Sequence, residues 1–211
     1  MSFYWVKTHK FVKWLFPQFV WDVRPADDKS VYLTFDDGPI PEATPMVLDL
    51  LQRFNAKATF FCIGDNIGKH PEIFRRILNE GHTVGNHTQN HLNGWKTPLD
   101  TYLANVTLCQ NEIEKFTHPD RKLMRPPYGK ISRAQSRALR LQGYEIVMWD
   151  VLSADYDTLI TPERCFRNAE SCGDGSIVIF HDSVKALPNM AFALEKLLEK
   201  LSAEGYAFKA L

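Results

Sequence analysis

The chain has 211 residues, and its 25 Lys and Arg balance its 25 Asp and Glu, so the formal net charge at pH 7 is zero. A balanced charge offers no basic stripe for phosphate groups and argues against nucleic acid as a partner. With 45% hydrophobic residues, the chain is long enough to bury a core without structural metal or disulfides. Because its four Cys form no CxxC pair, we expect buried free thiols.

The first 30 residues form an aromatic-rich appendage to the domain expected at residues 31–211. Eight of the 26 aromatic residues lie within residues 1–21. The longest uncharged run there, residues 14–21, is too short to span a bilayer, and no signal-peptide cleavage site follows it. We expect a flap with its rings inward, in preference to an interfacial helix in weak contact with a membrane surface. The expected location is cytoplasmic or peripheral to the membrane.

Short β-branched or aromatic runs alternate with segments of helical period after residue 30, which predicts a parallel α/β domain. Strands are predicted at residues 31–35, 58–63, 83–86, 122–124, 145–149, 176–180 and 206–210. Helices are predicted at residues 45–54, 71–80, 98–116, 132–141, 162–169 and 188–204. Reactive side chains follow five of the strands directly. Because the carboxyl ends of barrel strands converge on one face, this placement favours a closed or nearly closed barrel over an open sheet.

The sequence TFDDGP at residues 34–39 places two carboxylates, Asp36 and Asp37, at the end of the first predicted strand. Two adjacent anions repel, which is tolerable when a cation lies beside them or when one of them is poised to take up a proton. Taken alone, the motif is equally typical of a solvated Asp-Asp turn.

His87 and His91 follow the third predicted strand at a spacing of four residues. On a helical turn this spacing puts both imidazoles on one face, where they can share a metal ion, although two unrelated loop histidines would have the same spacing. Adding one carboxylate gives three protein ligands and leaves a coordination position for water. We expect one divalent ion, with Zn²⁺ as first choice and Co²⁺, Ni²⁺ or Mn²⁺ open on ligand type.

Three further motifs lie at strand ends. Arg125 begins the sequence RPPYG, in which two prolines stiffen the chain after a permanent cation. The sequence WDVLSADY occupies residues 149–156, and His181 follows the apolar run SIVIF. Each has an ordinary structural explanation when taken alone, an exposed Arg in a polyproline turn or a hydrogen-bonded core histidine.

In their order and spacing, the five motifs resemble those of the NodB-homology polysaccharide deacetylases, carbohydrate esterase family 4. The resemblance extends from about residue 30 to the C-terminus. It implies a distorted (β/α)7 barrel in a single domain and metal-dependent deacetylation of N-acetylated sugars. The fourth motif departs from the family, which often has Asp-Trp where this chain has Asp155-Tyr156 and an acidic residue where it has Leu152.

The resemblance also implies a role for individual residues. Asp36 would be the general base, with Arg125 orienting it, and Asp155 would partner Arg125, a role that Asp150 could share. His181 would be the general acid. The metal ligands would be Asp37, His87 and His91, and the oxyanion and substrate would be bound by Tyr128, through its backbone N–H, with Pro127 and Tyr156.

The expected substrate is an N-acetylated polysaccharide of the peptidoglycan or chitin type, and a monomer is the default assembly. His181 would protonate the amine leaving group, which an amide requires because its anion leaves poorly. Three alternatives remain open. An O-acetyl esterase acting on a substrate such as acetylxylan would depend less on His181, a carbohydrate-binding protein would need neither base nor acid, and a phosphoesterase would want more carboxylates.

Overall fold

The computed structural model describes residues 5–23 and 29–211, so Phe3 and Tyr4 of the aromatic segment lie outside the described residues. Eight strands form one sheet within these ranges. They are β1 (Ser30–Asp36), β2 (Ala58–Cys62), β3 (Thr83–Asn86), β4 (Lys122–Met124), β5 (Tyr144–Ile146), β6 (Val151–Leu152), β7 (Ile177–His181) and β8 (Ala207–Phe208). Seven run in the order β5-β4-β3-β2-β1-β7-β6, all named pairs are parallel, and β8 pairs with β1. The curled sheet confirms the predicted distorted (β/α)7 barrel.

Helices cover the outside of the sheet. They are α1 (Lys10–Leu15), α2 (Thr44–Arg53), α3 (Gly64–Lys69), α4 (Pro71–Asn79), α5 (Leu99–Glu114), α6 (Arg133–Leu141), α7 (Pro162–Ala169) and α8 (Leu187–Ala203). Six match predicted helices, and α6 begins with a capping box between Ser132 and Gln135. The sequence reading missed α1 and α3, because six residues are too few to show a helical period.

Successive side chains of β1 point alternately to the outer core, between sheet and helices, and to the interior of the barrel. Val31, Leu33 and Phe35 face the helices, and Phe35 stacks between Phe60 and Phe180 at ring-centroid distances of 5.1 and 6.0 Å. Burying one such ring stabilises the fold by about 1.5–3 kcal/mol. The intervening side chains of β1 point into the barrel, which is how its last residue, Asp36, reaches the interior.

The predicted fifth strand is interrupted in the structure. The backbone N–H of Val20 donates to the carbonyl of Ile146 at 2.9 Å, and the Val20 carbonyl accepts from the N–H of Met148 at 2.7 Å. Asp22 forms an antiparallel bridge with Ser176, just before β7. The N-terminal segment therefore lies in the gap between the two ends of the curled sheet, a pairing with distant sequence that local periodicity cannot indicate.

The aromatic rings of the N-terminal segment divide into two groups. Trp21 is buried and donates from its indole N–H to the Phe16 carbonyl at 2.9 Å. The rings of Phe11 and Trp14 on α1 are exposed, Trp14 by 72%, so the expectation of inward rings is wrong for α1. None of the described helices has the length and apolar character needed to cross a membrane. All four cysteines are free thiols, as expected; three of them are buried, whereas Cys172 is half-buried.

Candidate active site

A cavity of about 340 Å³ opens at the carboxyl ends of the barrel strands. Residues from all five sequence motifs line it, so the convergence expected of a barrel is present. The lining consists of Asp36, Asp37, His87, His91, Tyr128, Gly129, Lys130, Trp149, Leu152, Tyr156, Ile179, His181 and Lys185.

Asp37, His87 and His91 converge in this cavity, with one ligand atom from each lying within 4.8 Å of the other two. The Asp37 Oδ1 atom is 3.3 Å from His91 Nε2 and 3.8 Å from His87 Nε2. His87 Nδ1 lies 2.7 Å from the backbone carbonyl of Arg125, which can only accept a hydrogen bond. The proton of a neutral His87 therefore sits on Nδ1, and the lone pair of Nε2 faces the triad.

These three residues fit a divalent metal ion. The Oδ1 atom of Asp37 is buried and has no hydrogen-bond partner among the described residues. An unpartnered buried carboxylate oxygen is costly, and a cation would supply the missing interaction. Two imidazole nitrogens and one carboxylate oxygen form a ligand set that suits Zn²⁺ and related ions.

The two histidines lie on a loop, and the helical turn considered from their spacing is absent. Thr88 and His91 have φ angles of 64° and 55°, which no α-helix contains. The loop is instead held by Asn105 of α5, whose side-chain oxygen accepts from the backbone N–H groups of Gln89 and Asn90 at 2.8 and 3.1 Å. The imidazole rings still lie near each other, with centroids 5.1 Å apart.

Asp36 is paired with Arg125, as expected. The guanidinium is fully buried and donates from Nη1 to Asp36 Oδ1 and to Thr34 Oγ1, both at 2.7 Å. Its Nη2 donates to the Met148 carbonyl at 2.8 Å. Burial raises the pKa of Asp36, but the charge of Arg125, with smaller contributions from His87 and His181, lowers it by more. The net shift is downward, so Asp36 is ionised at neutral pH.

His181 is paired with Asp155. The Asp155 carboxylate accepts from the His181 backbone N–H at 2.6 Å and lies 2.8 Å from the ring Nδ1. Burial lowers the pKa of His181, but the charge and hydrogen bond of Asp155 outweigh it and raise the pKa to about 9. The imidazole is therefore protonated at neutral pH, with Nδ1–H donating to Asp155.

The expectation that Asp155 partners Arg125 is wrong. Leu152 of β6 pairs with Ile179 of β7, so the chain leaving β6 runs beside His181. Ala154, at φ 59°, then turns Asp155 towards that ring.

Asp150, the other expected partner of Arg125, does not contact it either. Its carboxylate accepts from Lys13 at 2.5 Å and from Ser176 at 2.6 Å, outside the cavity. The N-terminal segment thus supplies the partner of Asp150, which the sequence motif could not show.

Tyr128, Tyr156 and Pro127 have different positions relative to the cavity. The Tyr128 ring is 60% exposed and lies 4.6 Å from the His91 ring, centroid to centroid. Its backbone N–H donates no hydrogen bond within residues 5–23 and 29–211. The Tyr156 ring packs edge-on against His181 at 5.1 Å. Pro127 is buried but does not line the cavity, contrary to its predicted place in the substrate site.

Several cavity residues were missed in the sequence. Trp149, Leu152 and Ile179 form an apolar wall, and Lys130 and Lys185 add two lysines to the lining. Ile179 precedes His181 by two positions on β7, so the alternation of a strand could have placed it on the same face. Leu152 and Trp149 lie inside the fourth motif, where Leu152 was noted only as a departure from the family and neither residue was assigned to the site.

Asp182 was also missed. Its buried carboxylate accepts from the Gly38 N–H at 3.0 Å and from Thr44 Oγ1 at 2.5 Å. Burial raises the pKa of Asp182 to about 8, despite these hydrogen bonds. A Cβ atom at Gly38 would overlap this carboxyl group, so the glycine after Asp37 is required by close packing. Asp182 thus fixes the backbone that carries Asp37.

Backbone strain is concentrated around the cavity. Six non-glycine residues of the described chain have positive φ, and Asp37, His91 and Tyr128, which line the cavity, are among them. Such conformations cost of order 1–3 kcal/mol each and persist where the surroundings hold them. Their clustering is typical of a site whose geometry serves a reaction.

Comparison with known proteins identifies the family. A model described as polysaccharide deacetylase matches residues 23–147. A peptidoglycan-N-acetylglucosamine deacetylase of Bacillus cereus is 35% identical over 195 residues, which cover 89% of this chain and 88% of the relative. The peptidoglycan-N-acetylmuramic acid deacetylase PdaC of Bacillus subtilis is 32% identical over 180 residues, 85% of this chain and 37% of the relative.

A solved structure has the same fold over nearly the whole chain. The crystal structure of the Bc1960 peptidoglycan N-acetylglucosamine deacetylase, in complex with an N-hydroxybenzamide, has a TM-score of 0.87 and 33% identity. The alignment covers 94% of each chain. With these matches and the five motifs gathered around one cavity, the chain belongs to the polysaccharide deacetylase family.

Proposed function

We propose that this protein is a metal-dependent hydrolase that removes acetyl groups from the N-acetylated sugars of peptidoglycan and releases acetate. One observation carries the proposal. A single cavity combines the Asp37-His87-His91 triad with a carboxylate kept ionised and an imidazole kept protonated. Amide hydrolysis needs both a base for the attacking water and an acid for the leaving amine.

The metal site consists of Asp37, His87 and His91, and Zn²⁺ is the proposed ion. A divalent ion held by this triad supplies Lewis-acid polarisation of a carbonyl and lowers the pKa of a water ligand. The three side chains match the three-ligand pattern of hydrolytic zinc sites.

Asp36 acts as the general base. It stays ionised beside Arg125 and lies with one carboxylate oxygen 3.8 Å from His87 Nε2, next to the triad. It takes one proton from the attacking water while the water oxygen forms a bond to the acetyl carbon. Because Arg125 cannot lose its proton, the base stays ionised over a wide range of pH.

His181 acts as the general acid. As an imidazolium it gives the proton on Nε2 to the sugar nitrogen as the carbon–nitrogen bond breaks, while Nδ1–H stays on Asp155. The products are acetate and a free amino sugar. The Tyr128 N–H is the proposed donor to the oxyanion, a contact of a kind that contributes about 3–4 kcal/mol to transition-state stabilisation.

The substrate class rests on the relatives, since two of them are named as deacetylases of N-acetylglucosamine and N-acetylmuramic acid in peptidoglycan. The test is acetate release from peptidoglycan glycan strands, N-acetylglucosamine oligomers and acetylxylan, with metal analysis of the same sample. Acetate from the first two, lost after chelation and restored best by Zn²⁺, is expected. Acetate from acetylxylan alone would replace the proposal with an O-acetyl esterase, and no acetate from metal-loaded protein would refute it.

A further inference from the structure

A second cavity of about 300 Å³ lies next to the catalytic one, between the N-terminal segment and α6. We name it the arginine groove. One wall is aromatic and comes from Phe16, Phe19 and Trp21. The opposite wall carries Arg133, Arg137 and Arg140 of α6. Of the five sequence motifs, only RPPYG reaches this groove, through Gly129, and the proposed reaction does not use the groove.

The three arginines are exposed, and none forms an ion pair with any residue in the described part of the chain. Four other described arginines form ion pairs, such as Arg121 with Glu145 at 2.6 Å, and three form none with a described residue. Three unpaired guanidinium groups on one helix repel each other and attract carboxylates, with which they form two-pronged hydrogen bonds. The charge of the groove therefore selects an anionic ligand.

The groove adjoins the catalytic cavity. Gly129 lines both cavities. Lys130 of the catalytic cavity lies over the ring of Trp95, which lines the groove, at 5.4 Å from the ring centroid. Trp95 is 68% exposed, yet its indole N–H donates to the Ile131 carbonyl at 3.1 Å, which fixes the ring at the junction. An exposed, fixed indole face is a stacking surface for a sugar ring.

We propose that the arginine groove binds carboxylate groups that branch from the glycan strand while an N-acetyl group occupies the catalytic cavity. The inference rests on the proposed function, because it assumes a glycan substrate. Peptidoglycan carries carboxylates on its peptide stems and, where the peptide is removed, on the lactyl group of muramic acid. Neutral N-acetylglucosamine oligomers carry none. The groove would thus make the protein prefer the anionic glycan.

The test measures kinetics on three substrates: peptide-bearing glycan strands, peptide-free strands and neutral N-acetylglucosamine oligomers. Wild-type protein is compared with the double variant Arg137→Gln/Arg140→Gln on each. On carboxylate-bearing glycan at low salt, we expect KM to rise about five- to tenfold with little change in kcat, since each exposed ion pair contributes modestly. On neutral oligomers, KM should not change. Peptide-bearing and peptide-free strands distinguish which carboxylate is bound. Wild-type KM should also rise with salt for the anionic strands only.

The matched control is Arg164→Gln/Arg167→Gln, which removes the same charge with the same spacing from α7, outside the groove. Thermal unfolding shows whether each variant is folded. Equal effects on anionic and neutral substrates, or none on either, would overturn the inference. Loss of binding to phosphatidylglycerol vesicles with unchanged KM would also overturn it, by assigning the groove to a lipid surface. Absence of acetate from every substrate with wild-type protein would instead refute the proposed function.

Discussion

Each side of the catalytic cavity contains an aspartate paired with a cationic side chain, but the aspartate faces the cavity on one side and is buried behind the cation on the other. On the β1 side, the carboxylate of Asp36 faces the cavity and a buried cation, Arg125, stands behind it. On the β7 side, the cation is the side chain that faces the cavity, His181, and the buried carboxylate of Asp155 stands behind it. The two sides are neighbours, since Asp36 and His181 are register partners on adjacent strands.

The two sides differ in the pH range over which the side chain facing the cavity changes its protonation state. Arg125 keeps its charge at every accessible pH, so the state of Asp36 changes only in acid. His181 is held protonated by Asp155, which raises its pKa to about 9, and its state changes in alkali. Acid and base can therefore coexist in opposite states of protonation around neutral pH. Variants on each side, and in the metal-binding triad next to them, can break this division.

Replacing His91 by Ala should have the largest effect. The variant loses one of three ligands, so we expect it to lose both bound metal and acetate release, whatever the state of Asp36 and His181. Metal analysis and acetate release measure the two losses. His118→Ala, which changes a histidine outside the cavity, should behave as wild type. Full activity of His91→Ala without bound metal would contradict the assignment of the triad.

Replacing Asp36 by Asn tests the β1 side. We expect acetate release to fall by about 10²–10⁴-fold because the base is removed, while the triad still binds metal. The variant also leaves the Arg125 guanidinium buried without its counter-charge, which should destabilise the fold by about 3–5 kcal/mol. Metal analysis, acetate release and urea unfolding test these three outcomes. A variant that keeps wild-type activity would show that Asp36 takes no proton.

Replacing Asp155 by Asn tests the β7 side through pH. In wild type, burial lowers the pKa of His181 and Asp155 raises it above the ordinary value, to about 9. Without that carboxylate, the largest contribution that raises the pKa is gone, so the imidazolium loses its proton at a lower pH than in wild type. The alkaline limb of kcat/KM should therefore move to lower pH, while the acid limb, set by Asp36, stays in place.

Metal binding does not change the direction of this shift. A cation at Asp37 lowers the pKa of His181 in wild type and in Asp155→Asn alike, so the difference between the two pH profiles keeps its direction. Asp157→Asn, two residues along the same loop, is the control and should retain the wild-type profile. An unchanged alkaline limb in Asp155→Asn would show that Asp155 does not hold the proton on His181.

The β1 side was better predicted from sequence than the β7 side, and the reason is physical. Asp36 and Asp37 end a strand whose period is plain in the sequence, so their exit onto the barrel face follows from local pattern. The pairing of Asp155 with His181 depends on β6 lying beside β7, and the two are separated by α7 in the chain. Local pattern contains no information about that contact.

The loop of His91 and the N-terminal segment also depend on contacts with distant sequence that local pattern does not predict. The spacing of the two histidines correctly indicated that they meet, but the positive φ angles that bring them together depend on Asn105 of a later helix. Val20 closes the sheet through hydrogen bonds to residues 146 and 148. The sequence did not predict this pairing, because the only pattern in the N-terminal segment was its aromatic composition.

The smallest expected effect is on stability, and it too distinguishes the two sides. The pKa of His181 is about 9 in the folded protein and near 6.5 when unfolded, so the folded state binds the proton more tightly. Its contribution to stability is complete below about pH 6.5 and disappears as pH rises through about 9. Asp36 has a lowered pKa, so its contribution is complete at neutral pH and is lost only in acid.

Metal-free wild-type protein should therefore lose about 1–3 kcal/mol of unfolding free energy between pH 6.5 and 9.5 through His181. For a chain of this length, that corresponds to a decrease in Tm of roughly 2–10 °C. His181→Gln removes the titrating group and should show a flatter profile over the same range, and thermal unfolding in chelator measures both. Parallel profiles for the two proteins would show that the Asp155–His181 pair does not stabilise the fold, and the charge state of His181 would then need another cause.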